Sequence, residues 1–580
     1  MTIFDFIKKK EVEYQKPIEL EDGWMWSMKN HLRRSFLYKH SQFEEENENR
    51  ELRPFKNITR PILNIQYRTE GFDVKDIELY VDNPDIYYKS FVVKKYHEKW
   101  ARENFIDTFI DDVVESYVDY GGVLARDTAS SRPEVIDLRN LAFCDQRDIL
   151  SNPFAIKHSF SPSKLREMKK WGDPKYGATI GIEDLIVLCK DEKEIAVYEV
   201  HGVLPGKWIG MEGDVQQIQI VSFYKKQNGE KQGITLFKHR EPKLPFKFLK
   251  RDKIEGRALG FGGVEELFEP QIWANYSEIQ IAEMLDAASK IIFKSTDKGI
   301  AARHPSGLKG LDNLEIIEIT EGKDIGQLDT TPRNLVVFEN AVREWEEHAR
   351  IMGAASEPLL GETPTSGTPF KLYEAQLMES KSMHRYRQGK IAVFMDEIYR
   401  DWILPHISRE IANERTFLSE LSSDELQKVV DSIVEKKVFE MRAEKVLAGE
   451  FVSEEETEAF RRQTREKLAK RGSKWFIRIF KDEFKNPLGI MTNIAGKQKN
   501  LALLTDKIVN VLRQFISTPQ IRQDPEMVKL LNVILESSGL SPIIFGAAPV
   551  PLPPAASAGT QPLKELGEAV KEAQTEKLVR

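Results

Sequence analysis

Residues 244–275 read LPFKFLKRDKIEGRALGFGGVEELFEPQIWAN, and the character of the chain changes twice within this stretch. It begins with a run typical of a β-strand, Phe246–Leu249, and continues into a cluster of glycines between Gly256 and Gly263. Pro270 then opens a helical pattern, because proline suits the first turn of a helix, where its missing N–H is not needed. The stretch therefore predicts a strand, a glycine-rich turn and a long helix in direct succession.

The residues before this stretch predict a mixed α/β region. Helical patterns cover about Ile58–Tyr67 and about Tyr87–Tyr120, and Gly121-Gly122 ends the second of them, as glycine commonly does. Asn228-Gly229 lies between two β-type runs and is typical of a hairpin. The β-type runs are Glu134–Leu138, Asp184–Cys189, Glu194–Val200, Gln216–Tyr224, Gly233–Phe237 and Phe246–Leu249. We expect a domain with mainly antiparallel strands.

The residues after this stretch predict two helical rods separated by a small β insert. The apolar stripe of the first rod comprises Ile272 or Trp273, Tyr276, Ile279, Ala282, Leu285 and Ala288. The apolar side of the second comprises Phe338, Ala341, Val342, Trp345, Ala349 and Met352. Between them lie strand-like runs at 291–295 and 314–319. Beyond the rods we expect a Gly/Ser/Thr/Pro loop at 353–369, a long helix at 370–403, charged helical sequence at 408–470, a short β-type run at 475–480, further helices and an Ala/Pro tail.

Charge and cysteine content exclude several classes of protein. The 580 residues carry 85 basic and 92 acidic side chains, a net charge of −7, so no chain-wide basic surface is available to hold nucleic acid. Cys144 and Cys189 are far apart, which disfavours a disulfide framework or a Cys-based zinc site and fits a reducing compartment. The uncharged run from Ser537 to Leu563 holds repeated prolines that would break a membrane-spanning helix.

The motifs of common enzyme classes are missing from the sequence. It contains no GxxxxGK[ST], HExxH or GxSxG, and Glu265 stands where a dinucleotide-binding turn would need its third glycine. We therefore predict no catalytic site, no cofactor and no metal. Asp107, Asp111, Glu115 and Asp119 are spaced by four and could be read as metal ligands, but such acids on an amphipathic helix more often form a solvated face.

The order of these elements resembles the portal proteins of tailed bacteriophages. Family members often place a Pro-containing strand before a Gly-Arg and glycine-rich turn, followed by a helix with Gln and Asn four apart. The matching residues here are Pro245, Gly256, Arg257, Gly260, Gly262, Gln271 and Asn275. The helix near Phe105–Tyr120 and the segment DLRNLAFCDQRD (Asp137–Asp148) are also similar, although Arg139-Asn140 replaces the family's usual proline. The resemblance covers about residues 50–540.

The resemblance implies a portal-like α+β fold with a mixed α/β wing of antiparallel strands. The implied divisions are an N-terminal wing region at 1–260, a stem helix at 261–290, a clip insert at 291–334, a second stem helix at 335–353, a tunnel loop at 354–369, a long helix completing the wing at 370–489, a helical crown at 490–544 and a flexible tail at 545–580.

It also implies a structural role in the virion. The chain would form a homo-oligomeric ring, typically of 12 subunits, at one capsid vertex after assembly in the host cytoplasm, with double-stranded DNA passing through its channel. Implied partners are the terminase large subunit, a head–tail connector, and the major capsid and scaffolding proteins, with no membrane. The implied channel residues are Thr363, Thr365, Ser366, Thr368 and Lys371. The clip residues that would meet a partner are Lys294, Lys298, Arg303, His304 and Lys309.

Physical reasoning favours a passive channel. The second rod carries Glu339, Glu344, Glu346 and Glu347 among Arg343 and Arg350, and an acidic lining would repel phosphates and let a duplex slide. Two alternatives remain open at this stage: a metal-dependent enzyme acting on nucleic acid through Asp107 and Asp111, and a cytoplasmic helical scaffold or adaptor.

Overall fold

A computed structural model describes the chain between Thr2 and Ile494, with internal gaps. The described residues are 2–44, 53–81, 87–128, 132–190, 193–225, 231–289, 293–296, 321–327, 335–355, 357–360, 381–413, 423–449, 451–470 and 490–494. All belong to one unit, Met1–Gly496, and the second unit, Lys497–Arg580, lies outside the described residues. The described part combines helices with antiparallel sheets, which confirms the α+β prediction at that level.

The helices of the described residues vary from one turn to more than six turns. In chain order they are α1 (Ile3–Tyr14), α2 (Met28–Lys39), α3 (Thr59–Glu70), α4 (Tyr87–Glu103), α5 (Ile106–Tyr120), α6 (Pro162–Arg166), α7 (Ile182–Leu188), α8 (Gly263–Glu266), α9 (Phe268–Ser289), α10 (Leu335–Met352), α11 (Glu357–Leu360), α12 (Ser382–Ile398), α13 (Leu404–Asn413), α14 (Ser423–Leu447) and α15 (Glu454–Lys470). A π-helical turn, Tyr399–Ile403, joins α12 to α13.

The strands are short except in one sheet. In chain order they are β1 (Ile18–Glu21), β2 (Trp24–Trp26), β3 (Ile77–Val81), β4 (Gly122–Arg126), β5 (Glu134–Ile136), β6 (Leu141–Phe143), β7 (Phe154–Phe160), β8 (Ile195–Pro205), β9 (Asp214–Lys225), β10 (Lys231–Arg240), β11 (Phe246–Lys250), β12 (Phe293–Ser295), β13 (Ile325–Gln327) and β14 (Ile490–Ile494). The sheets have the orders β10-β9-β8-β7-β6, β11-β4-β5, β1-β2, β12-β13 and β14-β3.

The five-stranded sheet is entirely antiparallel. The β9–β10 hairpin confirms the prediction from Asn228-Gly229, although these two residues lie outside the described part of the chain. On β8, Val197 and Val200 are fully buried, because this strand lies in the middle of the sheet. The predicted strand at 246–249 is confirmed as β11, and it pairs with β4 in the separate three-stranded sheet.

Helix α5 lies at the centre of the largest apolar core. Its residues Phe109, Val113 and Tyr117 repeat at helical spacing and have at most 1% of their surface exposed. Gly121 ends the helix in a left-handed conformation with φ of 73°, as the sequence predicted. The helix predicted to run up to Tyr120 and its end at Gly121 are therefore both confirmed.

The continuous helix predicted over Tyr87–Tyr120 is interrupted. Asn104 donates from both its backbone N–H and its side-chain amide to the Trp100 carbonyl, which ends α4. Phe105 then adopts φ of 52° and leaves its ring 67% exposed. The chain therefore turns before α5 begins, and Phe105 lies outside both helices.

The strand predicted at Asp184–Cys189 is wrong, because this segment forms α7. Gly181 precedes the helix, and Glu183 and Asp184 occupy the first turn, where acidic side chains interact favourably with the helix dipole. Only Leu185 is buried within the helix. The run of apolar residues therefore forms a partly exposed helix and not a buried strand.

The region of the rods follows the predicted order, with differences in detail. Pro270 lies in the first turn of α9, as expected. β12 confirms a strand within 291–295, but it pairs with β13, which was not predicted, and the run at 314–319 lies outside the described residues.

Further along the chain the predictions hold in part. Helices α13 to α15 confirm helical structure across much of 408–470, and the run at 475–480 lies outside the described part. Within the range predicted as a helical crown, 490–544, the described residues form strand β14, which pairs with β3.

Candidate functional site

The two rods pack against each other as an antiparallel pair. Leu267 and Ala274 near the start of α9 share an apolar cluster with Ala349 and Ala355 at the end of α10, which fixes the antiparallel direction. The β12–β13 hairpin lies in the segment that connects them. We call α9 and α10 the helix pair.

An aromatic stack and a shared lysine hold the helix pair together. The rings of Trp273 and Trp345 lie 6.0 Å apart and 10° from parallel. The Lys56 Nζ lies 3.2 Å from a Glu278 carboxylate oxygen and 2.8 Å from one of Glu346. Burial acts to lower the pKa of Lys56, but the hydrogen bonds to Glu346 and Glu278 outweigh burial and raise it. The charged lysine therefore bridges the two helices.

The predicted apolar stripe of α9 faces largely outward. Ile272, Trp273, Tyr276 and Leu285 are each 44–51% exposed, and we call them the α9 stripe. The buried residues of the same helix include the polar side chains Gln271 and Asn275. On α10, Val342 and Ala349 are buried, whereas Met352 is exposed. The helix pair thus attaches to the protein through buried polar groups as well as apolar contacts, and it presents the apolar α9 stripe to its surroundings.

Gln271 and Asn275 anchor α9 to the start of α3. The Gln271 Oε1 accepts hydrogen bonds from the backbone N–H of Ile58 (3.0 Å) and from the N–H (3.2 Å) and hydroxyl (2.9 Å) of Thr59. Its Nε2 donates to the Lys56 carbonyl at 2.6 Å and to Asn275 Oδ1 at 3.0 Å. Ile58 offers no side-chain cap of its own, so Gln271 satisfies the N–H groups that begin α3. Four-residue spacing places both amides on one face of α9.

The glycine-rich turn packs backbone against backbone on the end of α5. The Gly260 N–H donates to the Gly121 carbonyl at 2.9 Å, and a Cβ on Gly121 would lie 2.4 Å from the Gly260 oxygen. The buried Arg257 donates to Glu265 at 2.9 and 2.6 Å and to the carbonyls of Leu259 and Gly260. The turn therefore holds α8 and the start of α9 in place.

A buried charge network lies beside this turn. Arg251 and Glu70 have no exposed surface, and an Arg251 Nη lies 2.9 Å from a Glu70 oxygen. Arg251 also contacts Glu266 at 3.3 Å, and Arg387 of α12 pairs with Glu266 and, at 2.8 Å, with Asp252. We call these five residues the charge network.

The charge network reaches the residues on both sides of the predicted tunnel loop. His384 of α12 lies 3.2 Å from Glu70 through Nδ1 and 3.1 Å from the Ala354 carbonyl through Nε2. Burial acts to raise the pKa of Glu70, but hydrogen bonds from His384 and Arg251 outweigh it and lower the pKa. Glu70 is therefore held as a carboxylate, and the end of α10 is tied to the start of α12.

Most of the predicted site residues lie outside the described part of the chain. Lys294 is described, and it lies exposed on β12. The undescribed residues are Lys298, Arg303, His304, Lys309, Thr363, Thr365, Ser366, Thr368 and Lys371. The structure therefore leaves the clip and tunnel-loop sets as predictions.

The four acids of α5 do not converge on one point. Asp107, Asp111 and Glu115 are exposed, whereas Asp119 is buried and accepts hydrogen bonds from Lys39 and Tyr67. Within the residues that the structure describes, no three His, Cys, Asp or Glu side chains are arranged to hold a metal ion. In the same described set, no helix combines the length and apolar character needed to cross a membrane.

Sequence reasoning missed the charge network. Its members come from α3, the two residues after β11, α8 and α12, and Glu70 and Arg251 are 181 residues apart. The one available signal was a run of charged residues, Arg251 and Asp252, directly before the glycine-rich turn. Gln271 and Asn275 were identified as a pair, but their partners at 56–59 were not.

Among the solved structures that resemble this chain, two are parts of gene transfer agent particles. No family model and no curated protein matches this chain. A chain in the structure titled "Virion of native gene transfer agent (GTA) particle" is 11% identical, with a TM-score of 0.28, and the match covers 77% of this chain and 95% of that one. A chain in "Neck of empty GTA particle computed with C6 symmetry" is 11% identical, with a TM-score of 0.29, covering 76% and 93%. TM-scores this low establish neither a shared fold nor a shared function.

Proposed function

We propose that this chain is a ring-forming structural subunit of the portal type, through which double-stranded DNA passes. The observation that carries the proposal is the exposed α9 stripe on a helix pair whose other side is anchored by buried polar contacts. An isolated subunit gains nothing from exposing Trp273 and Tyr276, whereas a subunit in a larger assembly buries them.

The helix pair has the two unlike faces that a ring requires. A closed ring built from head-to-tail contacts needs two different complementary surfaces on each subunit. The α9 stripe is one such surface. The outward side of α10 is different, because it carries the exposed charges of Arg343, Glu344 and Glu347 between apolar ends.

The charge of the helix pair suits the passage of DNA. Helix α9 contains four acidic residues and no Lys or Arg, and α10 contains four acidic residues against two arginines. Phosphates are repelled by such a surface, whereas a basic one would displace counterions and hold the duplex. A ring that repeats these helices in every subunit therefore favours sliding over binding.

The finer assignments follow from the resemblance to portal proteins. By analogy with that family alone, we propose a ring of about twelve copies at the capsid vertex of a virion assembled in the host cytoplasm. The loop at 354–369 would meet the DNA through Thr363, Thr365, Ser366 and Thr368, with Lys371 nearby. The clip, from Lys294 to Lys309, would dock a terminase large subunit and a head–tail connector, and the wing would meet capsid and scaffolding proteins.

Electron microscopy of the purified full-length chain tests the proposal. Negative-stain images should show closed rings with a central hole, and native mass spectrometry should give a single multiple of the 66.8 kDa subunit mass. A chain that stays monomeric across protein concentration and salt in both measurements would exclude a ring and leave the helical scaffold or adaptor as the better interpretation.

A further inference from the structure

The α9 stripe contains an aromatic surface that is already fixed in place. Tyr276 packs edge-on against Trp273, with ring centroids 5.8 Å apart, and Trp273 stacks on Trp345. Ile272 lies beside them and is 44% exposed, while Tyr276 is 51% exposed. These neighbours already restrict the motion of the Tyr276 ring. A partner that covers the ring therefore loses little free energy by immobilising it.

The outward side of α10 carries an exposed cation. Arg343 is exposed and forms no ion pair with any residue in the described ranges, whereas Lys56 is paired with Glu278 and Glu346. No other lysine or arginine lies between Arg343 and the start of α10, and α9 contains no lysine or arginine. An arginine guanidinium binds favourably to the face of a tyrosine ring and to nearby carboxylates.

Tyr276 and Arg343 lie at the same height on the helix pair. The Trp273–Trp345 stack sets the level of the two antiparallel helices. At about 1.5 Å per residue, Tyr276 lies about 4.5 Å from Trp273 along α9, and Arg343 lies about 3 Å from Trp345 in the same direction along α10. Both side chains are exposed, so they lie outside the contact between the two helices, where Ala274 and Ala349 are buried.

This geometry matches what a head-to-tail ring demands. Rotation about an axis along the rods keeps each group at its own height and brings the outward side of α10 in one subunit toward the outward side of α9 in the next. Groups at equal heights on opposite sides therefore meet. Exposed Glu269 and Glu283 flank Tyr276 on α9 and add negative charge to the surface that would receive the arginine.

We propose that Arg343 of one subunit packs against Tyr276 and Ile272 of a second copy of this chain, forming the contact that repeats around the ring. The inference rests on the proposed ring and adds which surfaces meet. The aromatic stack of each subunit provides the receiving surface, and the exposed Arg343 guanidinium provides the inserted group.

Cross-linking of the full-length chain identifies the contact directly. A Tyr276→Cys/Arg343→Cys double variant, treated with a short bismaleimide, should give a ladder of covalent oligomers up to the ring size in a denaturing gel. Each single variant should give no ladder. A Tyr276→Cys/Phe439→Cys pair is the matched control, because Phe439 is 63% exposed on α14 and has no place in the proposed contact.

Assembly measurements provide the second readout. Arg343→Glu should weaken each contact by about tenfold, because it loses the cation and adds repulsion toward Glu269 and Glu283, so rings should be lost. Tyr276→Phe keeps the ring face and should retain rings. Circular dichroism should show that Arg343→Glu remains folded, since this side chain is exposed and has no ion-pair partner among the described residues.

The outcomes separate this inference from the proposed function. If the wild-type chain forms rings but the Tyr276/Arg343 pair gives no ladder, or if Arg343→Glu assembles as well as wild type, the contact is wrong and the ring remains. If the wild-type chain forms no rings, the proposed function fails and the contact fails with it.

Discussion

At the scale of single residues, the Arg251–Glu70 pair depends on complete compensation of charge. Neither side chain has any exposed surface, so each would be very costly to bury without its partner. Glu266, Asp252 and Arg387 complete the set, and the Lys390 Nζ lies 3.1 Å from Asp252, so that three cations face three carboxylates. Removing one carboxylate leaves positive charge in the interior that water cannot reach.

We therefore expect Glu70→Gln to destabilise the chain strongly. The loss should be about 3 kcal/mol in the free energy of unfolding, as for other buried pairs that lose one partner. Thermal unfolding of the full chain, followed by circular dichroism, measures the change. Arg166→Gln is the control, because its pair with Glu183 on the surface should have no measurable effect. An equal fall in melting temperature for both variants would show that the buried charge network contributes no more to stability than a surface ion pair.

At the scale of elements, Gly389 weakens α12, and no contact among the described residues explains why a glycine stands there. It lies in the helix interior on the exposed side, and a Cβ built there meets no atom within 4 Å. Glycine in a helix interior costs about 0.5–1 kcal/mol relative to alanine. Exposed Met383, Tyr386 and Val393 lie on the same helix.

Gly389→Ala should therefore stabilise the unassembled chain, by about 0.5–1 kcal/mol. Gly121→Ala is the matched variant and should destabilise it, because Gly121 has φ of 73° and its Cβ would collide with the Gly260 carbonyl. Urea unfolding under conditions that keep the chain monomeric compares the two. A lower urea midpoint for Gly389→Ala than for wild type would mean that the added methyl group collides with a neighbour and that the space beside Gly389 is not free.

Sequence patterns predicted the elements whose period was long and regular. Helix α5 repeats buried residues over four turns, so its existence and its end at Gly121 were both predictable. Segment 182–188 is short, and a short apolar run fits a strand and a helix equally well, so the strand prediction there failed. β14 pairs with β3 across more than 400 residues, and no local pattern indicates such a partner.

The candidate site likewise contains contacts that the sequence could predict and contacts that it could not. Gln271 and Asn275 could be paired in advance, because four residues bring them to one face of a helix. Their acceptors and donors at Lys56, Ile58 and Thr59 could not, because these contacts depend on tertiary packing. The exposure of the α9 stripe was also unpredictable, since an apolar stripe in a sequence does not say whether its partner belongs to the same chain.

At the scale of the whole molecule, buried polar contacts connect parts of the chain that apolar packing alone would leave free to shift. Gln271 joins the helix pair to the start of α3, and His384 joins α12 to the end of α10. A buried polar group left without its partner is costly, so these contacts fix one arrangement of the elements. The five-stranded and three-stranded sheets are joined by the same kind of contact.

That contact centres on His201, which is fully buried on β8. Its Nε2 lies 3.1 Å from Glu199 and its Nδ1 lies 3.1 Å from Glu241. Arg126 of β4, in the other sheet, binds both oxygens of Glu199 at 2.9 and 2.7 Å, and His158 of β7 lies 2.8 Å from it. The aromatic rings packed on His201 are those of Phe154, which stacks on it, and Phe246 of β11.

Burial acts to lower the pKa of His201, but hydrogen bonds to Glu199 and Glu241 outweigh it and raise the pKa above the ordinary value of 6.5. A raised pKa in the folded state means that protonated His201 stabilises the fold. This contribution is complete below the unfolded value, about 6.5, and is lost as pH rises through the higher folded value. The Glu199 carboxyl has its pKa well below its ordinary value, because hydrogen bonds from His158 and His201 outweigh burial, so its own titration lies at more acid pH.

We expect wild type to exceed His201→Asn in melting temperature by the largest margin at about pH 6, with the margin shrinking as the pH rises above neutral. Thermal unfolding in a series of buffers at constant ionic strength measures this margin. His348→Asn, an exposed change on α10, should leave the profile unaltered. A margin that grows with pH would mean that neutral His201 is the stabilising form, and a margin independent of pH would mean that its ring only fills space between Phe154 and Phe246.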